Sequence, residues 1–203
     1  MIIPVFGKME KAPNNTTVGL GRGASIAVKA AAASDTISGK PGESLSVWTE
    51  GCTVIFVGDK EKLTHKGARD AGAKCLAKLS KDLGTKIVVR FTTGWKTANM
   101  AAFAEGMILR DYSFDKYQKK DEDGQDKSEW SLECQAHDRH LEALGAAVTK
   151  AGSIATGVHL ARDLANEPAN RLYPDEYGRR ALEWAEGKEN VEVEVWDYAR
   201  LQK

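Results

Sequence analysis

The chain has 203 residues, 42% of them hydrophobic and 29% charged, which suits one large domain or one domain with part of another. Lys and Arg together number 29, as do Asp and Glu, and this zero net charge argues against a dedicated nucleic-acid-binding protein. Three widely spaced cysteines do not suit a disulfide framework and favour a reducing, cytoplasmic setting. The sequence predicts neither a signal peptide nor a membrane span.

The first part of the chain predicts a series of short strands. A buried strand is expected at residues 2–6. Residues 25–33 fit either a helix or a strand, because their alanines favour a helix whereas valine and isoleucine are neutral. Residues 44–48 alternate between apolar and polar side chains, which predicts a strand with one solvent-exposed face. The continuous apolar run at 52–58 predicts a central strand that is covered on both sides.

Two helices flank the next predicted strand, at residues 86–91. Thr64 is expected to cap the first helix and Gly84 to end it. Its apolar face is predicted to comprise Ala68, Ala71, Cys75, Leu76, Leu79 and Leu83. The second helix covers residues 97–110, with Met100, Phe103, Ala104 and Met107 on one face. This order of elements predicts an α/β fold with a mixed central sheet covered by helices.

A charged loop interrupts this pattern before the longest predicted helix. Residues 119–127 are expected to form a solvated loop, and residues 129–134 a short strand. From about Asp138 to Asn166 the sequence is helical, and its apolar stripe is predicted to be Leu141, Leu144, Val148, Ala151, Ala155 and Val158. Its three glycines, Gly145, Gly152 and Gly157, would allow another backbone to approach closely.

The last part of the chain predicts a helix, a strand and the start of a further helix. Pro174 suits a first helical turn, and the acidic pair Asp175 and Glu176 suits the positive end of the helix dipole. Residues 191–197 alternate cleanly, which is typical of a strand with one polar face. Residues 198–203 begin another helix. Because this strand has no sheet partner nearby in sequence, we expect a second domain that is cut short.

The string ARDLANEPANRLYPDEY, Ala161 to Tyr177, resembles the segment that opens the catalytic domain of leucyl (cytosol) aminopeptidases. Four upstream strings, ISGKPGES, VIFVGDKEKLT, FAEGMILRDYSFDKY and KSEWSLEC, stand in the order expected of that family's N-terminal domain. The resemblance covers essentially the whole chain. It implies a macro-domain-like N-terminal domain at 1–137, an interdomain helix at 138–167 and the first elements of a truncated catalytic α/β domain at 168–203.

The resemblance also implies a chemistry. Members of this family remove N-terminal residues such as leucine from peptides, and their two divalent metals (Zn, Mn or Mg) polarise the scissile carbonyl and supply a hydroxide. The family's metal ligands lie in downstream motifs containing FDTGG and NTDAEGR, and neither string occurs in this sequence. We therefore expect no catalytic, cofactor-binding or metal-binding residue in this chain, and no activity from the chain alone.

In the parent enzyme, the resemblance assigns this part to assembly and to active-site access. The implied partners are the remainder of the catalytic domain, further copies in a homo-hexamer, and peptide substrates; neither a membrane nor a nucleic acid is expected. The sequence departs from the family pattern at Tyr173, where threonine usually precedes the proline. Because tyrosine does not cap a helix as threonine does, the start of this helix is expected to lack a side-chain cap.

Three groups of residues could carry a different function. Cys134, His137 and His140 are metal-ligand types at three-residue spacing, but a zinc site usually needs four ligands and the sequence indicates no fourth. A strand end followed by a solvated helix start is the favoured interpretation. Gly19, Gly21 and Gly23 resemble part of a phosphate-binding loop, although turn glycines are the simpler interpretation. A stand-alone macro-like module binding ADP-ribose or a nucleotide is therefore an alternative function, and a DNA-binding N-terminal domain is another.

The third group lies on the long helix and in the turn after it. His159, Arg162 and Asn166 share one helical face and could face a catalytic domain, but a structural role is favoured because a domain entrance needs fixed geometry. Asn166, Pro168 and Asn170 are expected to shape the turn, since asparagine side chains bond nearby backbone and proline fixes its own φ.

Overall fold

The computed structural model describes residues 1–6, 22–34, 37–38, 40–47, 52–79, 86–92, 94–118 and 130–202. The chain divides into two compact units, residues 1–158 and residues 159–203. The strands and helices, in chain order, are β1 (Ile2–Val5), α1 (Arg22–Ala33), β2 (Ser44–Val47), β3 (Cys52–Phe56), α2 (His65–Leu79), β4 (Lys86–Arg90), α3 (Thr97–Arg110), β5 (Ser131–Gln135), α4 (Asp138–Asn166), α5 (Pro174–Ala185) and α6 (Tyr198–Leu201).

The first unit is built on a five-stranded sheet in the order β2-β3-β1-β4-β5. β1 pairs in parallel with both β3 and β4, and β4 pairs in parallel with β5. β2 runs antiparallel to β3 at one edge. The predicted α/β fold with a mixed central sheet is therefore confirmed, and the ambiguous residues 25–33 belong to a helix.

Successive side chains of each strand point to opposite faces of the sheet, so the hydrophobic core consists of two clusters, one on each face. Ile3 and Val5 of β1 face a cluster that includes Val28 of α1, and this cluster covers one face. Ile2 belongs instead to the larger cluster on the other face, which is built from α2, α3 and Leu144 near the start of α4. Helices thus cover both faces, which is why the inner strands are mostly apolar.

Local signals located the two central helices correctly. The Oγ1 atom of Thr64 accepts a hydrogen bond from the amide of Gly67 at 3.0 Å, which confirms the predicted N-cap of α2. The proposed stop at Gly84 lies outside the described residues. The predicted α3 face is buried, and burial continues around the helix to Glu105 and Gly106.

The long helix α4 forms as predicted, but its apolar stripe is narrower. Leu144, Ala151 and Ala155 are buried, whereas Leu141 is 46% exposed, so the predicted apolar stripe is not buried at Leu141. Leu141 is a residue of the first helical turn, three positions before the first fully buried leucine. A β-carbon added to any of the three α4 glycines would meet no atom of the described residues within 4 Å, so no described backbone approaches Gly145, Gly152 or Gly157.

The second unit contains α5 and α6 joined by an extended segment. Pro174 occupies the first turn of α5, and Tyr173 precedes it without a side-chain cap, as predicted. Residues 191–197 are not a strand, which corrects the prediction from their alternating pattern. A strand needs a neighbouring strand to pair with, and residues 159–202 contain none. Asp197 then caps α6 by accepting a hydrogen bond from the Arg200 amide at 2.8 Å. Among the described residues, no helix is long and apolar enough to cross a membrane.

Candidate functional site

The carboxyl ends of β1 and β4 mark the point where an open α/β sheet would most readily bind a ligand. The chain passes from β1 to β3 on one side and later returns to β4 on the other side of β1. Loops at such a reversal diverge to opposite faces and leave a crevice. In this structure Trp95, which follows β4, donates from Nε1 to the carbonyl of Pro4 in β1 at 3.3 Å, and the Thr92 hydroxyl donates to the same oxygen at 3.4 Å.

Aromatic rings pack around Trp95 at this edge of the sheet. Its ring centroid lies 5.0 Å from that of Phe6, 5.1 Å from that of Phe91 and 5.9 Å from that of Phe103. Trp95 is only 3% exposed. The described part of this crevice is therefore a packed core, which weighs against a nucleotide-binding role for it.

The glycine group falls mostly outside the described part of the chain. Gly19 and Gly21 are not among the described residues, and Gly23 lies in the first turn of α1. The expectation of a turn at position 23 is thus corrected, because helix α1 begins one residue earlier. The charged segment 119–127 also lies outside the described residues.

Cys134, His137 and His140 occupy the end of β5 and the start of α4, but they do not converge. Burial raises the pKa of the Cys134 thiol to about 11, so the thiol is protonated at neutral pH. His137 is exposed and its Nδ1 accepts from the Arg139 amide at 3.4 Å. His140 Nδ1 lies 2.9 Å from the Thr97 hydroxyl, and its Nε2 accepts from Arg139 Nε at 3.0 Å.

These contacts engage both nitrogens of His140. Because the guanidinium of Arg139 can only donate, His140 Nε2 is the acceptor of that hydrogen bond. Within the described residues, no group of three or more His, Cys, Asp or Glu side chains could hold a metal ion. The described residues therefore do not fit a metal pair, and the group supports the simpler interpretation of a strand end followed by a helix start.

The turn that follows α4 is shaped by main-chain hydrogen bonds. The carbonyl of Pro168 accepts from the amide of Arg171 at 2.8 Å and from the amide of Leu172 at 3.0 Å. His159 and Arg162 are half-buried on α4, and Asn166 is exposed at its end. Their role at the entrance to a catalytic domain stays a prediction.

A row of charged side chains connects this turn to α5. Glu167 accepts from Arg180 Nη1 at 3.0 Å, and Arg180 Nε donates to Glu176 at 2.8 Å. Arg179 also donates to Glu176, through Nε and Nη2, each at 2.7 Å, and reaches Glu183 through Nη1. Hydrogen bonds from Arg179 and then Arg180 lower the pKa of Glu176 to about 2.

Sequence reasoning found neither Trp95 nor the Glu167–Arg180 pair. A lone tryptophan after an apolar strand carries no spacing signal for its partner, Pro4, which is 91 residues away. Glu167 and Arg180 are 13 residues apart, a spacing that no helical or strand period explains. The sequence contains one signal for Glu167: it lies within the string from Ala161 to Tyr177, which carries the resemblance to leucyl aminopeptidases.

A family model described as the cytosol aminopeptidase family, N-terminal domain, matches residues 2–121, which is more than half of the chain. The chain belongs to the cytosol aminopeptidase family. The predicted resemblance is therefore confirmed, and the region of the match includes the sheet up to β4 and the helices α1 to α3.

Curated relatives of this cytosol aminopeptidase family chain carry the name "Probable cytosol aminopeptidase". One from Rhizobium etli is 36% identical over 148 residues, covering 72% of this chain and 29% of the relative. One from Rhodopseudomonas palustris is 32% identical over 185 residues, covering 87% and 36%. One from Methylobacterium radiotolerans is 44% identical over 110 residues, covering 52% and 20%. The matched part of the chain thus spans between about a fifth and about a third of these relatives' length.

Solved structures show the same fold at low sequence identity. A mutant of tomato leucine aminopeptidase aligns with a TM-score of 0.78 at 18% identity, covering 99% of this chain and 42% of that one. The bottromycin maturation enzyme BotP aligns with a TM-score of 0.66 at 20% identity, covering 99% and 40%. A second BotP structure, in complex with Mn, aligns with a TM-score of 0.58 at 19% identity, covering 91% and 36%. These likenesses support the α/β architecture of this family member.

Proposed function

We propose that this chain is the N-terminal part of a leucyl aminopeptidase-like metallo-exopeptidase, whose full form removes N-terminal residues such as leucine from peptides. The observation that carries the proposal is the match of residues 2–121 to the N-terminal domain of the cytosol aminopeptidase family. In this proposal, residues 1–137 form the macro-like N-terminal domain, residues 138–167 the interdomain helix, and residues 168–203 the first elements of the catalytic domain.

The two divalent metals of the parent enzyme (Zn, Mn or Mg) would be held by polypeptide other than this chain. Support comes from His140, whose two ring nitrogens both engage protein groups, Thr97 and Arg139. The chain would then contribute to assembly, including a homo-hexamer, and to substrate access, while peptide hydrolysis takes place on the remainder of the catalytic domain. A cytoplasmic location is part of the same proposal.

The surface of the second unit supports a polypeptide partner of this kind. Large apolar side chains are exposed over much of its length: Tyr173, Tyr177, Leu182, Trp184, Trp196, Tyr198 and Leu201 are each at least 46% exposed. Folded domains seldom leave so many large apolar groups in water within one short stretch. The remainder of a catalytic domain would cover them.

The direct test is an activity assay on the purified 203-residue chain. We expect no release of leucine from a chromogenic leucyl amide with Mn²⁺ or Zn²⁺ added, while a full-length cytosol aminopeptidase assayed in parallel is active. Circular dichroism of the same sample shows that an inactive chain is folded. Metal-dependent turnover by this chain, abolished by a chelator, contradicts the proposal.

A second test addresses assembly and access. The Rhizobium etli relative is prepared whole and without the region that matches this chain. We expect the shortened form to lose the oligomeric state of the whole protein in light scattering and to show altered KM values for peptides of different length. An unchanged oligomer with unchanged KM values rejects the role in assembly and access.

A further inference from the structure

The buried carboxylate of Glu167 lies in the turn between α4 and α5. Its side chain is 2% exposed, yet it accepts a hydrogen bond from Arg180 Nη1 at 3.0 Å. A carboxylate this far from water is stable in its ionised form only beside a cation with good hydrogen-bond geometry. Arg180 therefore compensates the charge of this buried carboxylate.

The guanidinium of Arg180 contacts a second carboxylate from another part of the chain. Its Nε donates to Glu176 Oε1 at 2.8 Å, one turn before it on the same helix. The planar group thus joins the turn to the first part of α5 by two hydrogen bonds that leave it in different directions. Lysine could not make both contacts with the same geometry.

The neighbouring Arg179 provides a natural comparison. It binds the same carboxylate of Glu176, at 2.7 Å from both Nε and Nη2, and also reaches Glu183. Both of these carboxylates belong to α5, whereas Arg180 also reaches Glu167, 13 residues earlier in the chain. The two adjacent arginines share a partner and differ in whether they contact the turn.

We propose that Arg180 is a clasp that fixes the 167–172 turn and, with it, the direction in which α5 leaves the end of α4. The clasp joins Arg180 to the carboxylates of Glu167 and Glu176. The lowered pKa of Glu176 is consistent with a contact that persists throughout the physiological pH range. This conformational role does not depend on the proposed enzymatic function.

Amide hydrogen exchange on the 203-residue chain tests the clasp. The reporters are the amides of Arg171 and Leu172, which donate to the carbonyl of Pro168. In Arg180→Met, we expect both to exchange about tenfold faster or more, because the turn opens locally. In the matched control Arg179→Met, we expect their exchange to stay within about twofold of wild type. Equal effects of the two variants, or no effect of Arg180→Met, overturn the proposal.

Two further variants separate a clasp from a general loss of stability. Exchange of the Cys75 and Leu76 amides in α2, in the first unit, is expected to be unchanged in every variant. Arg180→Lys keeps the charge and is expected to be intermediate. The double variant Glu167→Gln with Arg180→Met is expected to exchange more slowly than Arg180→Met, because the buried charge that Arg180 compensates is removed with it. A double variant that exchanges as fast as Arg180→Met, or faster, contradicts the proposal.

Discussion

A β-carbon on Gly72 would lie 1.9 Å from the carbonyl oxygen of Phe103, because α2 and α3 pack backbone against backbone at this point. The contact is reciprocal, since a β-carbon on Gly106 would lie 2.0 Å from the carbonyl oxygen of Arg69. Arg69 Nε lies 3.3 Å from the buried carboxylate of Glu105 beside this contact. The two glycines therefore set the distance at which the helices approach.

Replacing Gly72 by alanine is expected to destabilise the first unit by about 3 kcal/mol, because the clash is with main chain and no rotamer change relieves it. Urea denaturation followed by circular dichroism measures the change. Gly152→Ala in α4 is the matched control, since no atom of the described part of the chain lies within 4 Å of a β-carbon there, and it is expected to stabilise by up to about 1 kcal/mol. A similar loss in both variants contradicts the close contact.

Trp95 is expected to be a major contributor to the stability of the sheet's carboxyl edge. Trp95→Ala removes a buried ring and is predicted to cost about 3–5 kcal/mol. Trp95→Phe keeps an aromatic ring but loses the hydrogen bond to Pro4, so the free energy of unfolding is expected to fall by about 1 kcal/mol. Urea denaturation again gives the free energy of unfolding. Trp184→Ala, at a side chain that is 47% exposed, is the control and should change it by less than about 1 kcal/mol.

The contribution of Glu176 to stability is expected to decrease as the pH is lowered. Its pKa is about 2 in the folded chain and 4.5 without partners, so as the pH falls the unfolded chain takes up the proton first. The stability difference between wild type and Glu176→Gln is therefore full above about pH 5 and declines towards zero near pH 2. Denaturation curves across this range measure it, and a carbon-13 titration of the Glu176 carboxyl supplies the pKa. A difference that grows on acidification would disprove the assignment.

Cys134 is expected to react slowly in the folded chain. With its pKa raised to about 11 by burial, the thiolate fraction at pH 8 is about a hundredfold below that of a free cysteine. Iodoacetamide labelling at pH 8, followed by mass spectrometry of the Cys134 peptide, should be slower by about this factor than in the same chain unfolded in urea. Equal labelling rates in the folded and unfolded chains are incompatible with a buried, protonated thiol.

Short-range features of the sequence determined most elements of this protein. Apolar runs predicted the strands β1, β3 and β4, a threonine at position 64 predicted the start of α2, and Pro174 predicted the start of α5. Such signals work because burial periodicity, capping and proline geometry act within a few residues. The family, too, was recognisable from strings in the sequence, above all the one from Ala161 to Tyr177.

The tertiary structure alone decided which distant residues meet. The order of the strands, the packing of Trp95 against Pro4 and the pairing of Arg180 with Glu167 depend on how the chain returns to itself, which no local period encodes. Residues 191–197 show most clearly what local signals cannot predict. Their apolar and polar residues alternate as in a strand, yet they do not form one. Strand propensity is local, but a strand's hydrogen bonds come from a neighbour, and only the folded chain determines whether one is present.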